Sequence, residues 1–116
     1  MIKFEDIVEG MKVWWGFIIF NDKLGSYRVV QKIEPAEYTV KIDTIGRAKL
    51  YDEWGRKCWI SPDFSKSNYG QGIYHTLYDS KEELIDDWNS VVNQEFDKLE
   101  KYNELAKKYI NKQFLE

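Results

Sequence analysis

The ten residues MKVWWGFIIF (Met11–Phe20) leave this chain few ways to fold. They hold two adjacent tryptophans, two phenylalanines and two isoleucines. A strand sends alternate side chains to opposite faces. One face here is Met11, Val13, Trp15, Phe17 and Ile19; the other is Lys12, Trp14, Gly16, Ile18 and Phe20. Neither face is polar, so each needs a cover. The cover is the chain itself, a second copy or a ligand.

The residues after this strand predict a β-rich half. SYRVVQKI (26–33) and YTVKIDTI (38–45) alternate apolar and polar side chains, the mark of half-buried strands. NDKLGS (21–26) and EPAE (34–37) read as turns between them. AKLYDEWGRKCWIS (48–61) reads as a hairpin with Gly55 at a positive-φ turn position and Trp54 near its tip. SPDFSKSNYGQG (61–72) has loop composition, and GIYHTLY (72–78) reads as a last strand. In front, KFEDIVE (3–9) forms a helical turn stopped by Gly10. The expectation is an antiparallel β meander or partly open small barrel of five or six strands.

The hydrophobic period changes at Ser80. Ser80 and Glu83 have capping-box spacing, acids crowd the helix start, and Lys107, Lys108 and Lys112 lie near its end. No Gly or Pro follows Gly72. A helix over Lys81 to about Phe114 is therefore expected, either continuous or bent near Lys101–Asn103 into a pair. Its apolar stripe is Ile85, Trp88, Val92, Phe96, Leu99, Tyr102, Ala106, Ile110 and Phe114. Such a helix outruns a small sheet, which predicts a homo-oligomer, a dimer or larger. The fold class is α+β. The chain reads as a single domain, 1–116, with a β-rich part (1–78) and a helical part (79–116).

Charge and cysteine content remove several function classes. Residues 1–78 carry 11 Lys+Arg against 10 Asp+Glu, and residues 79–116 carry 6 against 10. That balance predicts no broad nucleic-acid footprint. Cys58 stands alone, as expected in a reducing cytosol. The acids in MIKFEDIVEG are unlike a signal peptide, and no apolar run is long enough to span a bilayer. A cytoplasmic protein without membrane contact is expected.

Catalytic signals are thin. His75 is the single histidine, so one chain offers no multi-histidine metal site, and no zinc spacing of cysteines occurs. A small hydrolase using either a Cys58–His75 nucleophile pair or the carboxylates Glu82, Glu83, Asp86 and Asp87, which could mimic a Mg²⁺ cluster, is the weaker alternative. A lone strand cysteine is more often a small core residue, and acids at a helix start are more often solvated. No catalytic residue, metal or cofactor is assigned.

Binding signals are stronger. Arg28, Arg47 and Arg56 are the only arginines, and all fall in the β-rich part. Guanidinium groups grip phosphate and carboxylate. Together with Trp14, Trp54, Tyr69 and Tyr78 they are candidates to line a cationic, aromatic pocket for a nucleotide-like ligand. The plainer alternative is solvated strand arginines covering aromatic faces. Trp54 and Tyr69 are the hardest to explain as core.

The order EGMKVWW, hairpins, YDSKEELIDDWN and helix resembles small phage and mobile-element proteins along the whole chain. These include anti-CRISPR inhibitors and nucleotide-signal sponges of the Thoeris anti-defence type. The resemblance implies a non-enzymatic, oligomeric binding protein in the host cytoplasm. Its ligand would be a nucleotide-derived signal. The alternative is an inhibitor that binds a host protein through the acidic helix face.

Overall fold

A computed structural model of the protein describes residues 1–21 and 28–114, with the side chains at 21, 28, 102, 106 and 109–114 outside that description. The expected 21–26 connector and the start of the expected 26–33 strand therefore lie outside the described residues. Strand β1 (Lys12–Asn21) pairs antiparallel with β2 (Arg28–Ile42), and β2 pairs antiparallel with β3 (Ala48–Tyr51), in the order β1-β2-β3. Helix α1 spans Lys81–Phe114. The protein is α+β as expected, but its sheet has three strands among the described residues rather than five or six.

Two features account for the difference. The first is Pro35. The sequence reads EPAE as a turn, yet β2 runs straight through it. Pairing passes from Trp15 with Ala36 to Phe17 with Ile33, so Gly16 alone faces Glu34 and Pro35. Proline has no N–H to give a ladder, and a bulge is where a strand tolerates it. Gly16 makes room: a Cβ there would stand 2.9 Å from the Ile33 carbonyl and from the Pro35 backbone. A second register shift, between Ile19 and Phe20, leaves Val30 unpaired.

The second feature is the segment after β3. Where a hairpin return and a last strand were expected, it makes only isolated bridges: Tyr51 with Lys57, Ala48 with Phe64, and Trp14 with Tyr78. A 3-10 turn over Ile73–His75 interrupts the expected last strand. Side chains satisfy much of the backbone in place of a ladder. Asn68 donates to the Asp63 carbonyl at 2.7 Å, Thr76 to Gly72 at 2.7 Å and Tyr74 to Ile60 at 2.9 Å; the Tyr69 hydroxyl reaches the Ile2 carbonyl.

This wrap is the cover for one face of β1. Val13, Trp15 and Phe17 are buried against Val40, Ala48, Leu50, Phe64 and Leu77, with Ile2 and Ile7 closing the edge. Trp15 is central. Its indole N–H donates to the Tyr74 carbonyl at 3.0 Å, and its ring meets Phe17, Tyr38, Phe64 and Tyr74 at centroid distances of 5.3–6.4 Å. Burying a side chain of this size stabilises by roughly 1.5–3 kcal/mol relative to leaving it exposed.

The other face meets the start of α1. Lys81 holds its ammonium 5.7 Å from the Trp14 ring, Tyr78 donates its phenol proton to Asp87 at 2.6 Å, and Leu84 is fully buried. Ser80 caps the helix by accepting the Glu83 N–H at 3.2 Å. The Glu83 carboxylate pairs with the Met1 amino group. The helix is continuous, 34 residues or about 51 Å at 1.5 Å per residue. Of the two expected forms, the unbroken one is found. Phe96 and Leu105 lie 58% and 57% exposed on it.

Candidate functional site

The sequence D-x-apolar-G-R occurs at both ends of β3, as DTIGR (43–47) and DEWGR (52–56). Both copies fold into the same turn. The aspartate N–H donates to the arginine carbonyl (Asp43 to Arg47 at 3.0 Å, Asp52 to Arg56 at 2.8 Å), and the glycine N–H donates to the aspartate carbonyl (3.1 and 3.0 Å). One carboxylate oxygen accepts the N–H groups of the apolar residue and the arginine, at 2.9–3.0 Å in both turns. The other accepts the arginine Nε, at 3.0 Å from Arg47 and 3.2 Å from Arg56. Gly46 and Gly55 both have positive φ, +84° and +77°, which glycine adopts without steric cost. Short-range hydrogen bonding to aspartate thus writes the turn. Each aspartate is held below the usual carboxylate range, first by the arginine backbone N–H, against some desolvation, with the guanidinium and the other N–H adding.

Each turn lifts one apolar side chain into solvent: Ile45 at 70% and Trp54 at 71% exposure. The arginines differ. Arg47 also pairs through a terminal nitrogen with Asp63 at 3.3 Å and is 40% exposed. Arg56 is 72% exposed, lies 5.0 Å from the Trp54 ring, and has Asp52 as its only ion partner among the described residues.

The second turn forms a wall of an open groove of about 780 Å³. Residues 36–39 of β2, Lys12 at the start of β1, and residues 52–54 and 56–60 line it. Its aromatic groups are Trp54, Tyr38 and Trp59, the last 84% exposed. Its cations are Lys12, Arg56 and Lys57; its acids are Glu37, Asp52 and Glu53. Lys12 is oriented by donating to Thr39 Oγ1 at 2.8 Å. Burial, followed by the neighbouring Cys58, pushes the Tyr38 hydroxyl up to about 12, so it remains a neutral hydrogen-bonding group. Such a groove offers flat aromatic platforms and fork-shaped donors.

The expected site residues with described side chains divide among four places. Trp54 and Arg56 meet at the groove. Trp14 and Tyr78 sit together at the seam between sheet and helix, where burial raises the Tyr78 pKa. Tyr69 is tied into the core, near Phe4 and Phe64. Arg47 is held in the first turn by two carboxylates. The side chain of Arg28 lies outside the described residues. Cys58 lines the groove, whereas His75 does not; the His75 Nδ1 is buried without a hydrogen-bond partner. Among the described residues no cluster of His, Cys, Asp and Glu is arranged to hold a metal, and no helix is long and apolar enough to cross a membrane.

Sequence reasoning passed over Trp59, Lys57 and Lys12. Trp59 falls in the return arm of the expected 48–61 hairpin, where nothing in the sequence sets it apart. The repeated D-x-apolar-G-R words, nine residues apart, were the signal that would have marked 52–56 as a built turn. No protein-family model, no curated protein and no solved structure matches this chain.

Proposed function

We propose that this is a non-enzymatic binding protein that sequesters a planar, anionic small molecule of nucleotide type in the groove beside the 52–56 turn. The observation that supports it is the pair of exposed tryptophans, Trp54 and Trp59, on the wall that also carries Arg56. Exposed tryptophan rings near a cation are suited to stacking a base. Under this reading the biological role is that of a phage-type sponge for a nucleotide signal of host immunity, acting in the host cytoplasm. Titrating AMP, cyclic dinucleotides and ADP-ribose against the protein by calorimetry is the test. Saturable binding that is lost in Trp59→Ala supports the reading; a flat titration with every member of the panel removes it.

One further part belongs to the same reading. The protein acts as a dimer in which a second copy lies antiparallel along α1. The proximal half of the helix is rich in acids and the distal half in lysines, so antiparallel copies bring opposite charges together around the exposed Phe96. The second functional reading is a protein inhibitor. It is favoured by the exposed Glu82 and Asp86 on α1, which present an acidic surface to a basic host protein.

A further inference from the structure

The two D-x-apolar-G-R turns are an internal control for each other. Backbone, the shared carboxylate contacts and Nε are bonded alike in both, with Lys49 as an added partner of Asp43 at 3.7 Å in the first. They differ in what stands before the terminal guanidinium nitrogens. In the first turn Asp63 supplies an oxyanion, 3.3 Å from Arg47. In the second, no carboxylate among the described residues takes that place, and the guanidinium opens onto the groove. The Asp52 contact uses Nε, which orients the plane of the fork and leaves its far edge for another acceptor. The Trp54 ring supports the guanidinium at 5.0 Å.

We infer that Arg56 is the oxyanion receptor of the groove, and that the anionic group of the ligand occupies, before Arg56, the place that Asp63 occupies before Arg47. This rests on the proposed binding function and deepens it by assigning the charged end of the ligand. The shared chemistry is a planar or tetrahedral oxyanion, carboxylate or phosphate, attached to a flat ring that lies against Trp59. Lys57 and Lys12 line the same groove and add positive potential without fixed geometry. The arginine is positioned in the free protein, so little side-chain ordering remains to be done on binding.

The experiment compares AMP with adenosine by tryptophan-emission titration of wild type, Arg56→Gln, Arg56→Lys and Arg47→Gln, with a melting curve for each. In wild type, AMP is expected to bind at least tenfold more tightly than adenosine. In Arg56→Gln that preference falls to within about twofold, and Arg56→Lys, which keeps the charge but not the fork, recovers little of it. Arg47→Gln lowers the melting temperature but keeps the AMP preference, because its guanidinium serves the fold. Phenyl phosphate and phenylacetate, competed against AMP, separate the two sources of the oxyanion; displacement by either agrees with the assignment, and displacement by neither overturns it. A folded Arg56→Gln that retains the wild-type preference overturns it too, as does an equal loss in folded Arg47→Gln. Adenosine binding in wild type with no gain for AMP removes the anion subsite while leaving the groove reading in place. Failure of both AMP and adenosine to bind wild type removes both.

Discussion

Gly16 and Pro35 share one gap between β1 and β2: a Cβ at position 16 would lie 2.9 Å from the Pro35 nitrogen and Cα. Backbone, not a flexible side-chain end, stands in the way. Overfilling a packed site typically costs about 1–3 kcal/mol. Gly16→Ala is therefore expected to lower the unfolding free energy by that much, read as a lower urea midpoint with the m-value kept. A variant as stable as the parent would show that the bulge relaxes freely.

Trp54 and Trp59 contribute to the surface rather than the core. Replacing either with alanine is expected to change stability by less than about 0.5 kcal/mol. Trp15→Ala, in contrast, should cost about 3–5 kcal/mol. Acrylamide quenching provides a direct readout: the double variant Trp54→Phe, Trp59→Phe should lose most of the readily quenched emission. If quenching is unaltered, the exposed rings are elsewhere.

Alkaline pH should unfold the protein in a defined window. A tyrosine in the unfolded chain titrates near 10.0, while Tyr38 in the fold titrates at about 12. Below 10 both states keep the proton, and stability does not vary from this source. Between 10 and 12 the unfolded chain releases it first, so stability falls as pH rises. Tyr69, Tyr74 and Tyr78 are raised too, chiefly by burial, and act in the same direction. Tyr38→Phe should flatten part of that loss in melts taken from pH 9 to 12. An unchanged slope would assign the loss to the other tyrosines.

Self-association should be salt-sensitive. Sedimentation at micromolar concentration is expected to give a dimer at low ionic strength. Reversing Lys101 and Lys108 to glutamate should weaken it, because the change sets acid against the acidic half of the partner. Truncation after Leu99 should do the same. A monomer under all conditions would leave Phe96 exposed for a different partner.

Local signals carried the parts of this fold that are local. The β1 strand was legible as a dense apolar and aromatic run, the 34-residue helix because its period is long and unbroken, and the Ser80 cap because the N–H it serves lies three residues on. Pro35 misled because its tolerance depends on Gly16 across the sheet, a partner that a window around EPAE cannot contain. GIYHTLY misled because apolar alternation describes burial, whether the backbone is laddered or tied by side chains such as Thr76 and Tyr74. At the site, Gly55 correctly pointed to a tip presenting Trp54 and Arg56. Tyr69, Tyr78 and Trp14 read as ligand residues only because sequence does not say which aromatic rings a wrap or a helix will cover.

The wrap over β1 also sets an order of events. Closing the β1–β2 hairpin needs only the short connection between Asn21 and Arg28. Joining Trp15 to Tyr74 closes a span of 59 positions. The longer closure costs roughly 2 kcal/mol more in chain entropy. The hairpin should therefore form first and the 61–78 part of the wrap dock last, while the groove wall at 52–60, held to β3 by the Tyr51–Lys57 bridge and by the Cys58 N–H on the Leu50 carbonyl, closes locally. Pulse-labelled amide exchange during refolding should protect the β1–β2 amides before Tyr78, whose N–H bridges back to Trp14 at 3.0 Å; simultaneous protection would rule the order out. Newly made chains would then pass through a stage in which the sheet and its groove wall already stand while the aromatic face around Trp15 is still open to water.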